Sequence, residues 1–153
     1  MEPNWKQRLS YAICAIALVW SLSLYKNQVS TNPLSAAQEH WQAIATANPD
    51  LLIYGYSDHA ILKRSYNVPD VNETYQGLSI YSAWQDFFRQ YDIKDFQVLE
   101  QQRRDRTVKA QIQITAKSNQ GLMVVWSMSY QADFDQTGKI IKEVWQTNPE
   151  LGV

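Results

Sequence analysis

Residues 108–134 read VKAQIQITAKSNQGLMVVWSMSYQADF. Val108, Ala110, Ile112, Ile114 and Ala116 alternate with Lys109, Gln111, Gln113, Thr115 and Lys117. That is the two-residue period of a strand with one face in a core and the other in water. Ser118-Asn119-Gln120-Gly121 is a hairpin connection. Beyond it Leu122, Val124, Trp126, Met128, Tyr130, Ala132 and Phe134 share one face of a second long strand, while Ser127, Ser129, Gln131 and Asp133 point the other way. Asp135-Gln136-Thr137-Gly138 makes the next turn, and 139–147 is the last strand. From Phe96 onward the chain therefore reads as an antiparallel meander.

Upstream the period lengthens to that of a helix. A first helix is expected from Ser35, with Ser35 and Gln38 as a capping box and Leu34, Ala37, Trp41, Ile44 and Ala45 on its apolar face. Asn48-Pro49-Asp50 breaks it, Asp50 caps a short second helix, and Gly55 ends that helix. A strand over 59–66 follows, then a loop over 67–77 rich in Asn, Asp and Pro. A third helix is expected from an N-cap at Ser79, with Ile80, Trp84, Phe87, Phe88 and Tyr91 as a wide apolar stripe. Helices segregated ahead of strands indicate an α+β fold.

The whole-chain numbers set limits. A length of 153 residues suits one domain. Fourteen basic against fifteen acidic residues exclude a nucleic-acid binder driven by phosphate neutralisation, so no nucleic-acid partner is expected. Six Trp, nine Tyr and four Phe exclude a disordered chain. One Cys excludes a disulfide framework and a multi-cysteine zinc site, and two His without ligand spacing give no metal site. No cofactor is expected.

Residues 9–25, LSYAICAIALVWSLSLY, carry no charge and lie between Arg8 and Lys26. As a helix they rise about 26 Å, slightly short of the roughly 30 Å hydrocarbon core, with Trp5 and Tyr25 placed as interfacial anchors. The expectation is a tail over 1–8, a membrane signal-anchor over 9–25, a linker over 26–33, a domain over 34–149 and a tail over 150–153. A cleaved signal peptide is the competing version. Lys6 and Arg8 before the span, against Lys26 after it, favour a single-pass protein with its C-terminal domain on the non-cytoplasmic side. Cys14 reads as an ordinary membrane-facing thiol.

The element order, Trp41…Asn48-Pro49-Asp50, Tyr75-Gln76-Gly77-Leu78-Ser79-Ile80 leading into Trp84…Phe87-Phe88, and the last two strands joined by 135–140 together resemble the nuclear-transport-factor-2-like superfamily. This is the cone-shaped fold of ketosteroid isomerases and polyketide cyclases. The resemblance implies three helices packed on a curved antiparallel sheet, here behind one transmembrane helix. The isomerase branch has a carboxylate base near the end of its first strand and a tyrosine on its first helix. Here 61–66 reads Ile-Leu-Lys-Arg-Ser-Tyr, and Trp41 and Gln42 stand on the helix. Both departures speak against isomerase chemistry.

Among candidate sites, Asp58 and His59 could pair as acid and base only if Asp58 is still in the turn, since strand neighbours point to opposite faces. His40 is placed on the polar side of the first helix. Glu143 alternates with Ile141 and Trp145; facing the cavity, it would be a buried acid with a raised pKa and the best catalytic candidate beside His59. Tyr54, Tyr66, Trp84, Trp126, Tyr130 and Trp145 could wall a cavity for an apolar molecule with a polar end. Arg103, Arg104 and Arg106 read as an exposed hairpin, and Asn72-Glu73-Thr74 matches a glycosylation acceptor.

Three functions follow. The first is a membrane-tethered, non-catalytic domain that scaffolds a complex or binds a protein, dimerising through its sheet face. It rests on the missing carboxylate and the lack of a convergent polar cluster. The second is a carrier for an apolar small molecule, and the third an isomerase- or cyclase-type enzyme.

Overall fold

Pro33–Ala45 forms helix α1 because Pro33 pre-sets the first helical position and the Asn32 side chain accepts from Leu34 N at 3.1 Å. The cap lies three residues before the expected Ser35: Asn32 satisfies the orphan N–H first. Asn48 repeats the device on α2, Pro49–Tyr54, accepting from Leu51 N at 3.0 Å, so Asp50 sits inside the first turn instead of capping it. Gly55 closes α2. The structure, a computed structural model, describes residues 32–67 and 70–147, with side chains described except at 66, 67, 70 and 71. The tail 1–8, the span 9–25 and most of the linker lie outside the described residues, as do 148–153. Among the described residues no helix is long and apolar enough to cross a membrane.

Strand β1 runs Tyr56–Asn67, and β2 runs Asp70–Gln76 where a loop was expected. Asp70, Asn72 and Glu73 have low strand propensity, but Val71, Thr74 and Tyr75 suit a strand, and antiparallel pairing from Ile61↔Gln76 to Asn67↔Asp70 holds the segment in one. Gly77 reverses the chain with φ +57°, and an added Cβ would crowd Asp58 O at 3.2 Å, so glycine suits the position on both counts. Helix α3, Ser79–Gln90, has no side-chain cap: Ser79 Oγ instead bridges the N and O of Gln76. Tyr91 leaves the helix and opens β3, Tyr91–Arg104.

Strands β4 (Thr107–Ser118), β5 (Met123–Phe134) and β6 (Ile140–Thr147) complete one six-stranded sheet in the order β2-β1-β6-β5-β4-β3. The expected meander is present, but the sheet is not wholly antiparallel: β1 pairs with β6 in parallel. Helix α1 lies against β3 and β4, and α3 against β2 and β3. The buried faces of α1, β4 and β5 meet in a single core that includes Trp41, Ile44, Leu62, Ile80, Ile112 and Phe134. Where β5 and β6 pair, the register slips between Asp133↔Lys142 and Phe134↔Ile140, so Ile141 is an extra residue. This bulge turns Ile141 outward, to 43% exposure, and leaves Glu143 and Trp145 facing inward. The β1–β6 ladder is irregular at the same level, between Tyr56 and Ile61.

Candidate functional site

Four elements send one polar side chain each to the base of the hollow between helices and sheet. Helix α1 supplies His40, the start of β1 Tyr56, α3 Trp84 and β6 Glu143. His40 Nε2 lies 2.8 Å from Glu143 Oε1, and Tyr56 donates its hydroxyl proton to Glu143 Oε2 in a short hydrogen bond. Trp84 Nε1 donates to the Tyr56 oxygen at 2.9 Å. Tyr56 is thus acceptor and donor at once, and a chain of donors runs from the Trp84 indole to the carboxylate. Glu143 and His40 are 0% and 4% exposed. Among the described residues His40 Nδ1 has no hydrogen-bond partner.

Burial pushes the Glu143 carboxyl up, but the charge of His40 and hydrogen bonds from His40 and Tyr56 outweigh it. The Trp145 indole adds a weaker contribution, short of a full hydrogen bond. The net direction is downward, the reverse of the raised value expected of a buried acid. Burial first, then the neighbouring Glu143 charge, pushes the Tyr56 phenol well up. Tyr130 is raised for the same two reasons. An ionised carboxylate with both oxygens taken by donors is a held charge that orients His40 and Tyr56, and the Trp84 and Trp145 rings close it off from the hollow.

The second cluster lies at the mouth. Arg64, on β1, is 6% exposed and stacks over the Trp84 ring at 4.3 Å, with Phe87 and Tyr75 at 5.5 and 5.7 Å. Trp84, Phe87, Ile114, Trp126, Met128 and Trp145 complete a small cleft of about 20 Å³ around it. Trp126 and Tyr91 meet edge to face at 4.8 Å, and Trp84 stacks on Phe88 at 5.7 Å. Among the described residues, this hollow brings together one buried cation and the acid network beneath it.

The comparisons with known proteins rest on shape alone. No family model matches the chain, and no curated protein matches it in sequence. Solved structures do. A ketosteroid isomerase-like protein from Erwinia carotovora atroseptica superposes with a TM-score of 0.61 at 14% identity, over 79% of this chain and 96% of that one. An LEH-like epoxide hydrolase of M. tuberculosis gives 0.64 at 9% identity, over 76% and 82%. The BvnE pinacolase of Penicillium brevicompactum gives 0.64 at 10%, over 81% and 88%. The chain has the nuclear-transport-factor-2-like fold. Within that fold its helices, hollow and sheet are the parts that the sequence resemblance implied.

In this nuclear-transport-factor-2-like domain the expected site residues divide. Trp84, Trp126 and Trp145 line the cleft. Tyr130 is buried behind it, edge to face with Trp145 at 4.7 Å and Trp41 at 5.3 Å, a core residue. Tyr54 is 70% exposed on the outside of α2 and lines nothing, because the side chain of Leu52 takes the core position of that short helix. The Tyr66 side chain lies outside the described residues. Asp58 and His59 lie within β1, not in a turn, and both are exposed, so they form no acid–base pair. His40 is not on a polar face: it is buried with Glu143, and the expected lack of a convergent polar cluster does not hold.

Sequence reasoning missed His40, Tyr56 and Arg64. The signal for His40 was present, since Pro33, Ala36, Ala37, His40, Trp41 and Ile44 fall on one helical stripe and all are buried. Arg64 follows Ala60 and Leu62 at the two-residue period, so its inward direction was readable in β1. Tyr56 lies before the expected start of that strand, and no local pattern marks it.

Proposed function

We propose that the chain is a small-molecule-binding domain whose hollow takes a compact, largely apolar molecule between α3 and the sheet. The lining carries this reading: three Trp rings, Phe87, Ile114 and Met128 around a single cation, the mix of apolar wall and few polar groups that ligand sites use. Solved proteins of this fold include an epoxide hydrolase and a pinacolase by name, which favours a small-molecule site over a scaffold. The scaffold reading loses one premise, the missing polar cluster. Tethering through 9–25, with the domain on the non-cytoplasmic side, belongs to the same proposal, as does a homodimer through the outer sheet face. That face carries a polar trough of about 830 Å³ lined by Lys109, Gln111, Ser129 and Gln131 among others.

Native mass spectrometry of the protein extracted from its own host tests the reading. A co-purifying small molecule that is lost on Trp126→Ala supports it, and a domain that is empty in every preparation overturns it. Light scattering on the same samples reads the dimer directly, and only monomer would remove it.

The Glu143–His40–Tyr56 chain favours a second reading, acid–base turnover of the bound molecule. It requires Trp84 or Trp145 to swing and open the carboxylate to the hollow. Incubation of the co-purifying molecule in D2O decides it. Deuterium gained at carbon with the wild type, and not with Glu143→Gln, assigns turnover; equal masses with both leave binding alone.

A further inference from the structure

The Arg64 guanidinium is a permanent charge, since arginine cannot shed its proton to escape burial as lysine can. Its surroundings do not neutralise it. One amino group, Nη1, donates to Ala83 O at a long 3.4 Å, while Nη2 is buried with no hydrogen-bond partner among the described residues. Glu73 stands opposite on β2, and Glu143 pairs with Leu62 on β6; neither forms an ion pair with Arg64 among the described residues. The Trp84 and Phe87 rings, 4.3 and 5.5 Å from the guanidinium carbon, attract the cation but offer Nη2 no acceptor. Arg64 itself lines the cleft walled by Trp126, Met128 and Phe87.

We propose that Arg64 receives the carboxylate of an apolar organic acid, and so sets the ligand class of the hollow. The proposal rests on the small-molecule reading above and narrows it. Guanidinium and carboxylate match as planar forks, and the hydrogen bonds between them are charge-assisted. The cleft of about 20 Å³ has the room of one water-sized group. A carboxylate oxygen fits there, with the tail toward the mouth among Trp126 and Phe87. A water in the same place would meet the N–H but leave the charge uncompensated.

Titration calorimetry on the full-length chain, with 4-phenylbutyrate and its neutral amide as probes, tests this. The wild type is expected to bind the acid at least tenfold more tightly than the amide. Arg64→Met, which keeps apolar bulk, removes that preference. Arg64→Lys, which keeps the charge without the fork, retains part of it. Circular dichroism establishes that each variant is folded, and the acid-to-amide ratio of the wild type stands without any variant. Equal affinity for both probes, or an Arg64→Met chain that still prefers the acid, overturns the assignment while leaving an apolar hollow. Binding of neither probe overturns both the assignment and the reading beneath it.

Discussion

At the base of the hollow Glu143 is fully buried and each of its oxygens meets a donor from another element; at the mouth Arg64 is nearly as buried and its Nη2 meets none. The two regions share a wall, Trp84, whose indole N–H serves the lower cluster while its ring carries the upper cation. A buried charge that the chain satisfies itself is part of the architecture: it fixes how α1, β1, α3 and β6 meet. A buried charge met by ring faces and one long hydrogen bond is only partly compensated by the chain. The contrast separates the residues that hold the fold together from those proposed to meet a ligand, and substitutions at four positions probe where the boundary falls.

The largest effect is expected from Glu143→Ala. It strands His40 and the Tyr56 hydroxyl in a core without an acceptor, and loss of one partner from a buried charged pair costs about 3–5 kcal/mol. Urea unfolding should show that loss in the midpoint with an unchanged slope. A shift below about 1 kcal/mol would mean that the network is not part of the architecture.

The same carboxylate sets the acid limit of stability. Its pKa is held below the ordinary 4.5 in the folded chain, so it contributes stability above that value and loses it as the pH falls through the folded value. Thermal unfolding from pH 7 to pH 3 should fall across that window in the wild type and fall less in Glu143→Gln, whose side chain does not titrate. Parallel curves would place the acid sensitivity elsewhere. Tyr56 works in the opposite direction: raised in the folded chain, it supports stability up to its ordinary value of 10.0 and loses that support in stronger alkali.

Much of the architecture was legible, because it depends on periods that neighbours along the chain share. The β4 and β5 alternation, the α3 stripe and the three-helix order each follow from spacing alone. The base of the hollow was legible only in part. Glu143 was readable as a conditional buried acid, but its direction depends on the Ile141 bulge, set by pairing with Phe134 and Asp133 on another strand. Its pKa depends on His40, 103 residues away in sequence. A lone acid in an apolar face reads as desolvated; only the assembled fold supplies the donors that reverse the shift. Strand β2 was hidden by Pro69, Asp70 and Asn72, which read as a loop although Val71, Thr74 and Tyr75 suit a strand, and it is pairing with β1 that decides between them.

A middle-sized effect is expected at the shared wall. Trp84→Phe keeps a ring beneath Arg64 but deletes the N–H that Tyr56 accepts, leaving a buried oxygen one bond short at a cost of about 1–3 kcal/mol. If the two regions are coupled through this residue, the variant should also weaken binding of the acid probe. Unchanged binding with lowered stability would mean that the wall serves the base alone.

The smallest effects belong outside both regions, where they test whether the aromatic set as a whole or its position is what matters. Residue type alone groups Tyr54 with the cavity walls, yet it lies 70% exposed on α2 and is not among the residues that line the cleft. Tyr54→Ala should change stability by no more than about 0.5 kcal/mol and leave probe binding as it was, as surface substitutions do. Trp126→Ala, with the same loss of an aromatic ring but from the wall of the cleft, should abolish ligand retention. Had aromatic content alone been responsible for binding, the two variants would behave alike. Facing decides the matter: an aromatic side chain contributes to a site only where the fold turns it inward beside Arg64.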